Sequence, residues 1–213
     1  MKYSISALVL GICAVLSAAA PTPDENDVDP SKVYIEGITY AGSGCKAGTV
    51  AISKSDDYKT VTLAFDSYVA SIGPGISFVD RRKNCNINVK LHYPGGYQYT
   101  LYQTDYTGYA ELEKGVTAKQ QSEYWFAGFA DRKATMRSMW KGKFADSYTF
   151  RDTLAQEACV WSPCGASTTL NIDTQLTLDN NDDDKKKASG LITTDVIDHK
   201  VKTIYGVRWR KCR

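Results

Sequence analysis

The sequence predicts an all-β fold: an antiparallel β-sandwich, with a jelly-roll-like variant as the near alternative, stapled by disulfides. Three observations point there. Short runs of alternating apolar and polar residues recur along the chain, which is the period of a half-buried strand. Gly- and Pro-bearing turns separate them, as at Gly73-Pro74-Gly75 and Pro94-Gly95-Gly96. Helical periodicity is nearly absent, and the 14 Tyr suit a pleated, half-buried surface.

Taken in order, residues 1–19 read as a secretory signal peptide. Lys2 gives the charged start, Ala7 to Leu16 the apolar stretch, and Ser17 to Ala20 the small residues around a cut expected after Ala19. The apolar run is too short to span a membrane. Residues 20–31, acidic and proline-bearing, read as a disordered lead. Residues 32–213 are long enough for one domain with a real core. Val33 to Tyr40 is the first strand, and Thr49 to Ser53 a short second one. Val61, Leu63 and Phe65 share one face of a third, and Tyr68 to Ile72 continues it or starts a neighbour.

Arg81 to Leu112 reads as a three-strand meander. Ile87, Val89, Leu91 and Tyr93 share a face, and Pro94-Gly95-Gly96 turns the chain. Tyr97, Tyr99 and Leu101 then alternate with Gln98, Thr100 and Tyr102, and Gly108 breaks the run before Tyr109. Thr117 to Phe126 should pair back. Ala127 to Trp140 is read as a short helix or an irregular crossover, and Tyr148 to Asp152 as extended. Leu170 to Leu178 alternates through a long strand, and Val201 to Trp209 forms the last one. Between them, Asp179 to Lys187 reads as a solvated loop. It mimics the start of an EF-hand, but Asp184 and Gly190 stand where that loop needs Gly and Glu.

The net charge is +2, falling by one if Lys2 is removed. That is no electrostatic footprint for nucleic acid or an anionic membrane. Cys13 leaves with the signal peptide. The remaining five cysteines allow five choices of leftover and three pairings for each. An oxidising route favours bridges. We expect Cys45–Cys85 and Cys164–Cys212, with Cys159 as a small buried thiol. With only two His in the chain, a metal site at Cys159-x4-Cys164 is not expected, nor any other cofactor.

Several stretches carry a family resemblance. AGSGCKAGTV at 41–50, FDSYVASIGPG at 65–75, RKNCNINVKLHYPGGYQY at 82–99 and GYA at 108–110 lead it. WSPCG at 161–165, LNI at 170–172 and W-x-K-C at 209–212 complete it. Together they resemble the secreted fungal proteins grouped as domain of unknown function 4360, over nearly the whole chain and in the same order. The resemblance implies a secreted single β-domain and no mechanism. Cys45, Cys85, Cys164 and Cys212 fall inside the matching motifs. Cys159 stands where a non-Cys residue is expected, and Lys46 where a Pro is.

Chemistry is less legible. Arg81-Arg82-Lys83 could bind an anion, but a pairing with Asp66 or Asp80 explains it better. Asp66, Asp80, Asp105, Glu111 and Glu123 could include an acid/base pair, but no motif marks any two. His92 and His199 read as surface histidines, and no G-x-S-x-G elbow exists. The aromatics Tyr97, Tyr99, Tyr102, Tyr106, Tyr109 and Trp125 are the candidate binding residues, because rings on a sheet face stack on sugars or fill partner pockets. The expected function is a secreted, monomeric, non-enzymatic binding module. It would be effector-like and engage an extracellular protein or cell-wall carbohydrate. A polysaccharide hydrolase and a structural cell-wall protein are the alternatives.

Overall fold

The computed structural model describes residues 28–29, 32–165, 167–180, 187–193 and 201–212. The expected signal peptide and His199 lie outside them, as does most of the charged loop after Asp179. Two antiparallel sheets carry the fold. One has the order β1-β5-β10-β7-β8. Its strands are β1 (Tyr34–Ala41), β5 (Arg82–His92), β10 (Thr168–Asp179), β7 (Thr117–Phe126) and β8 (Ala134–Lys141). The other runs β2-β3-β12-β6-β11-β4, with β9 also on β6. It comprises β2 (Val50–Lys54), β3 (Thr60–Phe65), β12 (Val201–Lys211), β6 (Tyr97–Leu112), β11 (Gly190–Thr193), β4 (Ala70–Ile72) and β9 (Phe144–Thr153). The β-sandwich is therefore the fold.

Alternation builds the layers. On β7, Ala118, Gln120, Ser122, Tyr124 and Phe126 are buried, while the residues between them face out. On β10 the inward row is Leu170, Ile172, Thr174, Leu176 and Leu178. The facing sheet supplies Leu63, Phe65, Tyr205, Val207 and Trp209. Each such large apolar side chain contributes roughly 1.5–3 kcal/mol on burial.

The core is unusually rich in tyrosine. Tyr68, Tyr93, Tyr99, Tyr106, Tyr124 and Tyr205 are all fully buried, so each hydroxyl needs a partner. Tyr68 donates to the Thr174 carbonyl at 2.6 Å, Tyr106 to that of Met136 at 2.8 Å and Tyr124 to that of Leu101 at 2.6 Å. Tyr205 shares a hydrogen bond with Ser122 Oγ at 2.8 Å. The Tyr99 hydroxyl has no hydrogen-bond partner among the described residues.

The expected meander is corrected in two ways. β5 and β6 lie in different sheets, so Pro94-Gly95-Gly96 carries the chain from one layer to the other rather than making a hairpin. Gly108 does not end a strand either, since β6 runs through it for 16 residues. A Cβ there would come 2.8 Å from the Tyr148 hydroxyl, so the glycine admits the ring of the neighbouring strand. The segment 127–140 is a turn followed by β8, with no helix. Thr117 to Phe126 pairs with β10 and β8 rather than with the meander. Val28, assigned by sequence to the disordered lead, is buried against the core.

The bridges join Cys45 to Cys85 and Cys164 to Cys212, and Cys159 is unbridged. At the first, Gly44 lets the Tyr68 ring close over the turn: a Cβ would meet Tyr68 Cε2 at 2.1 Å. At one flank the two sheets are clasped. The Arg137 backbone N–H on β8 donates to Asp152 Oδ2 on β9 at 2.6 Å, and Trp140 packs on Tyr148 and Phe150.

Candidate functional site

The candidate site is a groove of about 720 Å³ between the β7–β8 turn and the segment that follows β9. That segment, residues 154–165, is not a strand, apart from a single 3-10 turn at Gln156–Ala158. Backbone bonds lace it to the edge of β6. Leu154 N–H donates to the Tyr102 carbonyl at 2.8 Å, Ser162 N–H to that of Tyr99 at 2.9 Å and Gly165 N–H to that of Tyr97 at 3.0 Å. Core hydroxyls hold it from beneath. Tyr93 donates to the Pro163 carbonyl, Thr100 Oγ1 donates to that of Val160, and Val160 N–H donates to the Tyr124 hydroxyl. The Cys164–Cys212 bridge fastens its end.

The wall so fixed presents Trp161. The guanidinium of Arg210, on β12, lies 3.8 Å from the centre of that indole. Arg210 Nε also donates to Gln98 Oε1, and Gln98 Nε2 donates to the Ser162 carbonyl at 2.6 Å. Across the groove the β7–β8 turn supplies Phe129, Arg132 and Lys133. Arg132 packs at 5.7 Å from the Phe129 ring centre, and Lys133 Nζ lies 4.5 Å from that of Trp125. Trp125 faces outward from β7 at the groove's rim, beside a polar sheet face where Asn171 Nδ2 donates to its carbonyl.

Catalytic groups are weakly represented. Burial pushes the Cys159 thiol up, away from the thiolate form, with Arg208 opposing, so it is a poor nucleophile. No cluster of three or more His, Cys, Asp or Glu suited to a metal occurs among the described residues. On the open sheet face Asp173 stands directly across the ladder from Glu123. Burial, and then the Glu123 charge, raise the Asp173 carboxyl above its ordinary value.

The sequence candidates divide. Tyr99 and Tyr106 are core residues, at 1% and 0% exposure, and cannot form a binding surface. A β-bulge explains Tyr106. The register of β6 on β12 slips between Gly206 and Val207, opposite Tyr102. Before it Tyr99 and Leu101 are buried together with Thr100, and beyond it burial follows the even positions from Thr104 to Leu112. Tyr97 is half-buried against the core. Tyr102 faces out beneath Arg208, whose guanidinium is 4.4 Å from the ring centre. Tyr109 is half-exposed further along β6. Trp125 alone of the six borders the groove through its contact with Lys133.

Other candidate groups settle as structure. Lys83 Nζ bonds Asp80 at 2.6 Å, and Arg151 grips Asp105 with two bonds. His92 stacks on Tyr34 and faces Ser167 and Glu36. Sequence reasoning missed Trp161, Phe129 and Arg210 as site residues. The available signal was Trp161 itself, a large aromatic directly before the pinned turn Ser162-Pro163-Cys164-Gly165.

A family model described as domain of unknown function (DUF4360) matches residues 31–212. An uncharacterized secreted protein of Arthroderma benhamiae is 46% identical over 187 residues, covering 88% of this chain and 75% of that one. Among solved structures, TmCBM61 in complex with beta-1,4-galactotriose aligns at TM-score 0.28 and 8% identity, over 88% of this chain and 97% of that one. The enzymatically active domain of bacteriophage CBA120 tailspike protein 4 aligns at TM-score 0.20 and 10% identity, over 88% and 20%. Likeness at that level carries no argument about function.

Proposed function

The chain belongs to the secreted family described as domain of unknown function (DUF4360), and from that premise we propose that it is a non-enzymatic module binding cell-wall or cell-surface carbohydrate in the groove. The carrying observation is that Trp161 and Phe129 line one open groove, with Trp125 joined to it through Lys133, beside the amide of Gln98 and the carboxyls of Asp131 and Glu157. Sugars present apolar C–H faces and hydroxyl edges. Aromatic rings match the first, and planar amide and carboxylate groups match the second. The rings are set on a wall tied by backbone bonds and a disulfide, so little order has to be gained on binding.

The test is retention of the mature protein on insoluble chitin, β-glucan, cellulose and a de-esterified pectin gel, with released sugar assayed in the same tubes. Retention without release is expected, and Trp161→Ala should weaken it at least about tenfold. Failure to bind any glycan would overturn the proposal and turn attention to protein partners. A second reading, a polysaccharide hydrolase, draws on the facing Glu123 and Asp173 carboxyls. It predicts released sugar that disappears in Asp173→Asn. Neither carboxyl lines the groove, which favours the binder.

A further inference from the structure

We propose that the groove selects an anionic glycan, a chain carrying carboxylates on its sugar rings; this rests on the carbohydrate reading above. Every aromatic ring at the groove has a cation set against its face: Arg210 on Trp161, Arg132 on Phe129 and Lys133 on Trp125. A fourth pair, Arg208 on Tyr102, lies just beyond Leu154. A neutral sugar stacks best on a bare ring. Here it would first displace a cation, giving up roughly 0.5–1 kcal/mol at each exposed pair. A ligand carboxylate instead meets the cation where it stands and leaves the ring contact intact. The pair then acts as one unit, with the ring holding a cation that the ligand neutralises.

The charges allow this. Arg132 and Lys133 have side chains 71% and 44% exposed, and their nearest carboxylates are only loosely placed. Asp131 Oδ2 is 3.9 Å from Arg132 Nε, and Glu123 Oε2 is 3.9 Å from Lys133 Nζ. Neither distance is a hydrogen bond. The groove itself is lined by Arg132, Lys133 and Arg210 against Asp131 and Glu157, a surplus of one positive charge. The acidic members work in the ligand's favour as well, because carboxylates accept from sugar hydroxyls while the cations take the sugar's charge. The exposed guanidinium of Arg132 suits a planar carboxylate, which it can grip with two parallel bonds, and the Lys133 ammonium adds a point charge beside it.

The experiment compares one backbone in two charge states: polygalacturonate, and the same polymer fully methyl-esterified. An unbranched β-glucan serves as the neutral reference and polyglutamate as a charge-only probe. Binding of the mature chain is measured by calorimetry at low salt and again near about 0.5 M salt. Polygalacturonate should bind at least about tenfold more tightly than its ester, and the advantage should shrink at high salt. The exposed double variant Arg132→Gln, Lys133→Gln should lose most of that advantage with an unchanged Tm. Equal affinity for acid and ester, or preference for the β-glucan, would overturn the charge selection and leave the carbohydrate reading standing. Polyglutamate binding as tightly as polygalacturonate would overturn it too, since charge alone would then suffice. No binding to any glycan would overturn both.

Discussion

Replacing Cys164 and Cys212 together by Ala should remove about 4 kcal/mol of stability and, separately, weaken the groove. The bridge closes a loop spanning 48 positions, and the chain-entropy relation for a loop of that size gives about 4 kcal/mol at 25 °C. The Cys45–Cys85 bridge spans 40 positions, and the same relation places it within about 0.2 kcal/mol of the first. The two double variants should thus be equal in global stability. In urea, with a slope of about 2 kcal/mol per M, each midpoint should fall by about 2 M. They should differ at the groove. Cys164 ends the wall that carries Trp161, whereas Cys45 and Cys85 fasten the turn beneath Tyr68. Only the first variant should bind glycan more weakly at temperatures where both are folded. A midpoint shift below about 0.5 M for either variant would refute the loop argument. Equal binding by both would refute the assignment of the wall to the bridge.

Other outcomes follow from the buried polar groups. Tyr99→Phe should be neutral or stabilising, because its buried hydroxyl has no partner among the described residues; Tyr68→Phe should cost about 0.5–1.5 kcal/mol by removing its buried hydrogen bond to the Thr174 carbonyl, and paired urea titrations check both. Burial raises the Tyr68, Tyr99, Tyr106 and Tyr205 hydroxyls well above their ordinary range and pushes Tyr124 up to about 12. Unfolded tyrosines ionise near about 10, so the stability held by the neutral form is intact below that pH and falls above it. The tyrosinate absorbance of these five buried rings, as distinct from that of the solvent-facing tyrosines, should therefore appear together with loss of β-sheet circular dichroism, and separate transitions would contradict this. The raised Asp173 carboxyl contributes stability at low pH that is lost as pH rises through its folded value. Asp173→Asn should raise Tm at neutral pH and lose that gain in acid; a gain that persists unchanged in acid would show that charge is not the cause.

Much of the fold was legible because alternation is local. β3, β10 and β12 were read close to their bounds from period two, and β7 was placed within its bounds as a strand. What local pattern lacks is the identity of the facing layer. The row Ile87, Val89, Leu91 and the row Tyr97, Tyr99, Leu101 look the same whether they pair in one sheet or face each other across a core, so β5 and β6 were placed side by side. Parity also fails at a bulge. The slip opposite Tyr102 depends on Gly206, more than a hundred positions away, and it sent Tyr106 inward. The groove escaped for the same reason. Trp161, Phe129 and Arg210 come from three distant stretches, and only the packing of the two sheets brings them together.

The placement of β12 has a consequence for how the molecule comes into being. It is the last strand in chain order, yet it lies between β3 and β6, pairing Thr60–Phe65 on one side and Tyr97–Thr107 on the other. A nascent chain has therefore made both neighbours long before the strand that joins them. In that interval β3 and β6 each present an open edge, the kind of surface on which chains cross-pair. Contacts of such sequence separation also close slowly. The secretory route must shelter a half-sheet until its middle arrives. Substitutions in β12 should accordingly show first as poor secretion yield, before any loss is measurable in the finished protein.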